Sequence, residues 1–429
     1  MDNTPHSPAA APQSVAVVGG GIAGLTAAWL LSQRDWQVTI YEAAPFAGGR
    51  LRSCGTDPAC DVGSHLMVRA YQATRRLLEL LSTSALFATP RPSSLEFRWP
   101  DHQARLRYGH WPGVTRYAAA FLQSDLFPFR ERWQLLLLLR KLGKAAGDSV
   151  RAASLKQELL VSSSRQQEFW QLLAVSLFNT QLATVDPLLL ARTLKRLFRQ
   201  VEGAEPLVPL CTLSEGLISP LLEQLHQAGC TLNLRTPVMG LEWQQGRLTA
   251  LDTSTGSVTH DRYILALPLE RWCRLHQCET TPPQGDIATI YFRAKEPLAR
   301  AQMTGFPGAP VHWIIQQDSG GTILNRYAAV ISAFQGDRAA LEKLWKNFTD
   351  SFFAGYNLVV ERWIIRRRSL PRQDSAFFEW RERLQTSGSN WDTIGDWVHP
   401  DLPATVEAAV DTAFKLADKM AALPTTAYR

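Results

Sequence analysis

Four apolar residues, Val15 to Val18, run straight into Gly19-Gly20-Gly21, and Gly24 completes a G-x-G-x-x-G spacing. Few folds accept that order. A β-branched, wholly apolar run is the pattern of a buried parallel strand. Ile22 to Arg34 then carries apolar residues at helical spacing, and a second strand, Val38 to Tyr41, ends in Glu42. In such a strand–turn–helix, Gly19 permits the tight turn, Gly21 lets backbone approach a pyrophosphate, and Gly24 lets helix pack on strand. The helix start at Ile22 and Ala23 offers free N–H groups and a partial positive charge to phosphate. Glu42 follows Gly24 by eighteen residues, a spacing at which an acid takes a ribose hydroxyl. The alternative is a purely structural glycine turn. The flanking strand, helix and acid favour a dinucleotide.

The chain has 429 residues, 45% hydrophobic and 20% charged, enough for two or three globular domains. Its longest leucine run, Leu135 to Leu139, is far shorter than the roughly 20 residues a bilayer needs. Residues 1–14 are proline-rich, with neither a basic start nor an apolar segment, and are expected to be a disordered tail. Cys54, Cys60, Cys211, Cys230, Cys273 and Cys278 form no C-x-x-C pair and no metal spacing. Reduced thiols, a cytoplasmic location and no metal are expected. The net charge of +6 comes from scattered residues without a nucleic-acid motif, so no nucleic-acid partner is expected. An anionic membrane surface or an acidic cofactor accounts for it as well.

At the far end, Val406, Ala409, Val410, Ala413, Ala417 and Met420 recur at helical spacing, predicting a helix from about Ala404. Gly395-Asp396 stands ahead of it. Glu42 opens "EAAPFAGGRLRS", in which five residues separate the acid from Gly48-Gly49-Arg50. The arrangement E-x5-G-G-R resembles the FAD-dependent amine oxidase and carotenoid desaturase superfamily. That resemblance implies FAD, with Gly49 and Arg50 along the pyrophosphate and flavin. It implies that Gly63, Ser64 and His65 pass beside the isoalloxazine, and that Val238 meets the adenine. Asp396 would hold the ribityl or pyrophosphate region, and Ala404, Thr405 and Val406 would point at the flavin N1–C2=O edge. A helix N-terminus there would stabilise a reduced, anionic flavin. The implied fold is α/β: a Rossmann-like FAD-binding domain from residues 15–90, 211–272 and 385–429. An α+β substrate domain with a mainly helical insertion would come from 91–210 and 273–384.

The middle of the chain has no H-E-x-x-H, G-x-S-x-G or G-x-x-x-x-G-K. Isolated histidines such as His110, His226 and His312 read as surface or core residues. "RERWQLLLLLRKLGK" and "QEFWQLLAVSLFNTQLATVDPLLLARTLKRLFR" read as apolar helices, the second broken near Pro187. They fit plain helical core, and equally the wall of a greasy tunnel whose edge rests on a membrane. "RWIIRRRSLPR" (Arg362 to Arg372) fits a membrane-facing patch, a partner site or a strand of the flavin domain with solvated ends, and the last is favoured.

Three stretches, Asp61 to Leu81, Trp170 to Leu194 and Gly395 to Val410, resemble the hydroxysqualene dehydroxylase family. The resemblance spans nearly the whole chain after the tail, with Phe178-Asn179-Thr180 and the His65 turn as its narrower signals. The chain departs from that pattern at Val62 and Ser64, where Asn and Gln are expected. It departs also at Ala408, where glycine is expected beside the flavin, and at Gln181-Leu182, where proline is usual. The resemblance implies reductive removal of an allylic hydroxyl from a hydrophobic isoprenoid. Such a site needs a proton donor for the departing hydroxyl and a water-poor tunnel. His65 is the candidate donor; no motif names the electron donor. The alternatives are a phytoene-type desaturase and a lipid-binding protein without catalysis on the same scaffold. An amine oxidase fits less well, since Trp397 has no second aromatic nearby in sequence.

Overall fold

The computed structural model describes residues 13–55, 60–89, 93–109, 111, 114–200, 202–298, 302–317 and 325–422. His110 and most of the expected tail (residues 1–12) lie outside the described residues. Ser14, expected to belong to the tail, is instead the first residue of the first strand, where its N–H donates to Asp261 at 2.7 Å.

Five strands form a wholly parallel sheet in the order Thr231–Asn233, Gln37–Tyr41, Ser14–Val18, Arg262–Leu265, Trp391–Thr393. Three stretches far apart in the chain therefore share one sheet. Both faces are covered. Val15, Val17, Val38, Ile40 and Ile264 pack against the helices Ile22–Ser32, Ser219–Gln227 and Val406–Ala421. On the other face, Ala16, Val18, Tyr263 and Leu265 meet Trp272, Trp397 and the antiparallel meander Val238–Val258. A central strand buried on both faces must be apolar throughout, which is why Val15–Val18 lacks alternation. The turn after it needs its glycines. Gly19 sits at φ +109°, and a Cβ on Gly24 would lie 2.0 Å from the Gly19 carbonyl oxygen.

A second sheet of seven strands is largely antiparallel. Its order is Leu358–Pro371, Gln284–Ala294, Arg326–Phe334, Trp313–Gln316, Met303–Gly305, Ser94–Arg98, Gln103–Arg107. Leu341, Trp345 and Phe348 of the helix Arg338–Phe352 cover one face. The other packs on the helices Val114–Gln123, Phe129–Ala145, Ser149–Leu160, Ser164–Phe178 and Pro187–Arg199. The break near Pro187 is built from caps. Asn179 ends one helix at φ +49°, and the Asp186 carboxylate accepts from Leu189 N to start the next. The "RWIIRRRSLPR" stretch is a strand, but it is the edge of this second sheet and not part of the flavin-domain sheet. Its partner is Gln284–Ala294. At this edge Arg367 and Arg368 reach solvent.

Candidate active site

Between the two sheets lies a cavity of about 750 Å³, within the range of a ligand site. Gly19, Gly21, Ile22 and Ala23 line one side, and Gly48, Gly49 and Arg50 face it from the next turn. Gly21 and Gly48 form a bridge, so the two glycine turns touch. A Cβ on Gly21 would meet nothing within 4 Å: its open side is the cavity. Gly24 does not line it, because its role is the close approach to Gly19. Val238 and Glu42 stand at one end. The Glu42 carboxylate accepts from Gly20 N at 2.7 Å and from Ala44 N at 2.8 Å, which fixes it at the strand end. Gly63, Ser64 and His65 line another wall, and Gly395, Asp396, Ala404, Thr405 and Val406 close the cavity from the C-terminal side.

Asp396 is buried and pairs with Arg50 at 2.7 Å, while Arg50 also donates to the Ser369 carbonyl at 2.8 Å. The last helix starts at Val406, capped by Thr405, near Ala404 as the spacing predicts. Extended backbone at Thr405 lets its hydroxyl accept from Ala408 N at 3.4 Å. The Ala408 methyl does not line the cavity as expected; it is fully buried against the core, and Val406 and Ala409 face the ligand side. Val62 and Ser64 do line it. The Phe178-Asn179-Thr180 stretch does not. The Phe178 carbonyl and the Thr180 hydroxyl accept from Gln373, whose Oε1 accepts from Ala404 N at 2.8 Å. That stretch thus braces the approach to the last helix.

Several lining residues carried no signal in the sequence. Arg366 comes from the misassigned edge strand. Among the described residues, no carboxylate pairs with Arg366 or with Arg52, whose guanidinium lies 3.9 Å over the Phe46 ring. Burial pushes Arg366 below its usual range, and nearby Arg50 and Arg52 push it further. A cluster of cations balanced only by Asp396 is a site built for an anion. Tyr71 is the second such residue. Burial, then Glu407, raises its hydroxyl well above the ordinary tyrosine range, so it stays protonated. Leu66, Leu177, Ile287 and Val330 supply an apolar wall in which Ser176 and Ser332 are the polar groups. Helix and sheet packing gathers these positions, and no local pattern marks them.

His65 stands on the cavity wall but not in the protonation state expected of a donor. Burial lowers it to about 4; the Gly63 carbonyl opposes this, and Arg50 and Arg366 reinforce it. Its Nδ1–H donates to the Gly63 carbonyl at 2.7 Å, which leaves Nε2 as an acceptor at neutral pH. Trp397 is not an exposed cage wall either. It is buried beside Trp272 and Trp380, and its N–H donates to the Leu267 carbonyl.

The model of the flavin containing amine oxidoreductase family matches residues 22–285 of the chain. The chain belongs to that family. It is a FAD-dependent oxidoreductase, and the glycine cradle, the Glu42 carboxylate and the unmatched arginines fit a dinucleotide carrying a pyrophosphate. Two relatives are similar over almost their whole length. Hydroxysqualene dehydroxylase of Sinorhizobium fredii is 24% identical over 427 residues, covering 95% of this chain and 98% of that protein. Its counterpart in Rhodopseudomonas palustris is 26% identical over 438 residues, with 95% and 98% covered. An oxidoreductase from Methanosarcina mazei has the same fold, with a TM-score of 0.74 at 14% identity over 94% of this chain and 100% of that one. These neighbours share the amine-oxidase-like architecture of a Rossmann-like domain joined to a second sheet.

Proposed function

We propose that the protein acts on a long-chain isoprenoid and removes an allylic hydroxyl reductively, converting hydroxysqualene to squalene. One observation carries the reading: a single cavity joins the glycine cradle to an apolar wall whose polar groups are few and confined. The names of the full-length relatives supply the substrate class. Bound FAD, once reduced, supplies a hydride to carbon.

The chain's own residues do the rest. Leu66, Leu177, Ile287 and Val330 exclude water from a carbon that develops positive charge. His65 accepts the substrate hydroxyl at Nε2 and orients it. Tyr71, held protonated by burial, donates a hydrogen bond that stabilises the negative charge developing on that oxygen as the C–O bond breaks, and a solvent proton completes the water that leaves. The arginines stay with the anionic cofactor.

The test is anaerobic. Reduced enzyme is mixed with hydroxysqualene, oxidised enzyme with phytoene, and the products are identified. Squalene from the first mixture alone supports the reading; a desaturated polyene from the second makes the protein a desaturase. Tyr71→Phe is expected to slow single-turnover reduction by about 10²–10³-fold. His65→Gln is expected to weaken substrate binding with a smaller effect on rate. An unchanged rate in Tyr71→Phe removes Tyr71 from the mechanism.

A further inference from the structure

The helix Phe129–Ala145 has two unlike sides. Leu135, Leu138, Leu139 and Leu142 face the core of the helical insertion. Phe129, Trp133 and Leu137 are 64%, 52% and 58% exposed. Spaced four apart, they form one stripe about 12 Å long, and the Phe129 and Trp133 rings meet edge-on with centroids 6.3 Å apart. Soluble surfaces carry single exposed apolar residues, not a contiguous aromatic stripe without a role. Charge says what covers it. Arg130, Arg140, Lys141 and Lys144 are exposed on the same arc of the helix, which carries no carboxylate. Glu131, the helix's own acid, lies off that arc and accepts from Ser163. Lys141 is met by Glu158 of the next helix, and among the described residues no acid pairs with Arg130, Arg140 or Lys144.

We propose that this face docks on an anionic lipid surface, with Phe129, Trp133 and Leu137 in the acyl boundary and the cations at the headgroups. A second copy of the chain fits poorly, because its matching face would set cations against cations. No helix among the described residues is long and apolar enough to cross a membrane, so the contact is peripheral. An in-plane amphipathic helix with aromatic residues on one side and Lys or Arg beside them has this chemistry. The inference does not rest on the choice of substrate, since docking is measured without one.

The experiment is flotation of the FAD-loaded protein with vesicles, either phosphatidylcholine alone or phosphatidylcholine with phosphatidylglycerol. The wild-type protein is expected to float with the anionic vesicles and to be released by salt. The triple variant F129S/W133S/L137S is expected to bind at least tenfold more weakly. Each cation removed, as in Arg130→Gln or Arg140→Gln, is expected to cost about fivefold. Trp133→Phe keeps the apolar face and folds as the wild type. It is expected to lose most of the tryptophan quenching that brominated lipids cause in the wild type. Equal flotation of wild type and triple variant overturns the proposal. So does equal quenching in Trp133→Phe, and so does a wild-type dimer that the triple variant splits into monomers without any vesicle binding.

Discussion

Arg366 shows how much one side chain's surroundings can say. It sits near Arg50 and Arg52, burial and both neighbours disfavour its charge, and no carboxylate pairs with it among the described residues. An anion beside it offsets both effects, and a pyrophosphate would do so through charge-assisted hydrogen bonds. Arg366→Ala is therefore expected to weaken FAD binding by about 10–100-fold, the equivalent of one charged hydrogen bond. Arg366→Lys should recover part of this. Titrating FAD into apoprotein and following flavin fluorescence measures both, and unchanged affinity in Arg366→Ala places the arginine elsewhere in function. Gly19, Gly21, Glu42 and Arg50 were legible in sequence because one continuous segment supplies strand, turn and helix. Arg366 was not: it is one of three consecutive arginines, and only strand pairing decides which of them faces the cavity.

The last helix, Val406–Ala421, reads in sequence as a closing helix aimed at the cofactor. Its periodicity gave no hint that Glu407, on its first turn, is almost fully buried. That carboxylate accepts from Ala73 N, Thr74 N and the Thr74 hydroxyl at 2.9–3.0 Å, and from Arg196 at 2.8 Å. It thereby caps the helix Gln72–Leu80 from outside and pins the turn bearing Tyr71. Glu407→Ala takes the carboxylate from Arg196, which keeps only the Ala70 carbonyl, and from three donors of the Ala73–Thr74 turn. A loss of about 3–5 kcal/mol in unfolding free energy is expected, read from urea denaturation. A loss under 1 kcal/mol would mean that water replaces the carboxylate. The break before Pro187 was legible because caps are local. The sheet to which Leu358–Pro371 belongs was not, because pairing partners lie anywhere in the chain.

The folded protein also buries histidines in their neutral form. Burial takes His65 and His312 to about 4 and lowers His260 and His276 as well. As pH falls from about 6.5 towards 4, the unfolded chain takes up protons there and the folded one does not, so stability falls. Asp61, raised to about 6 chiefly by burial, acts in the opposite sense over the same window. Glu407, also raised chiefly by burial, acts in the same sense as Asp61. Four histidines outweigh two carboxyls, and the midpoint of thermal unfolding is expected to drop between pH 7 and pH 5. Scanning calorimetry at fixed ionic strength measures it; a rising midpoint would show the histidines to be solvated. The amino-acid sequence by itself determined the nucleotide-binding strand, turn and helix, the acid at Glu42, the second glycine turn and the last helix, because neighbouring residues encode each of them. Only the tertiary structure decided that Asp396 reaches Arg50, that Tyr71 and Arg366 enter the cavity, that His65 turns its Nδ1–H to the Gly63 carbonyl, and that Phe129, Trp133 and Leu137 stay outside the core. Those facts depend on which surfaces meet, and burial and charge at a meeting surface come from residues far away in the chain.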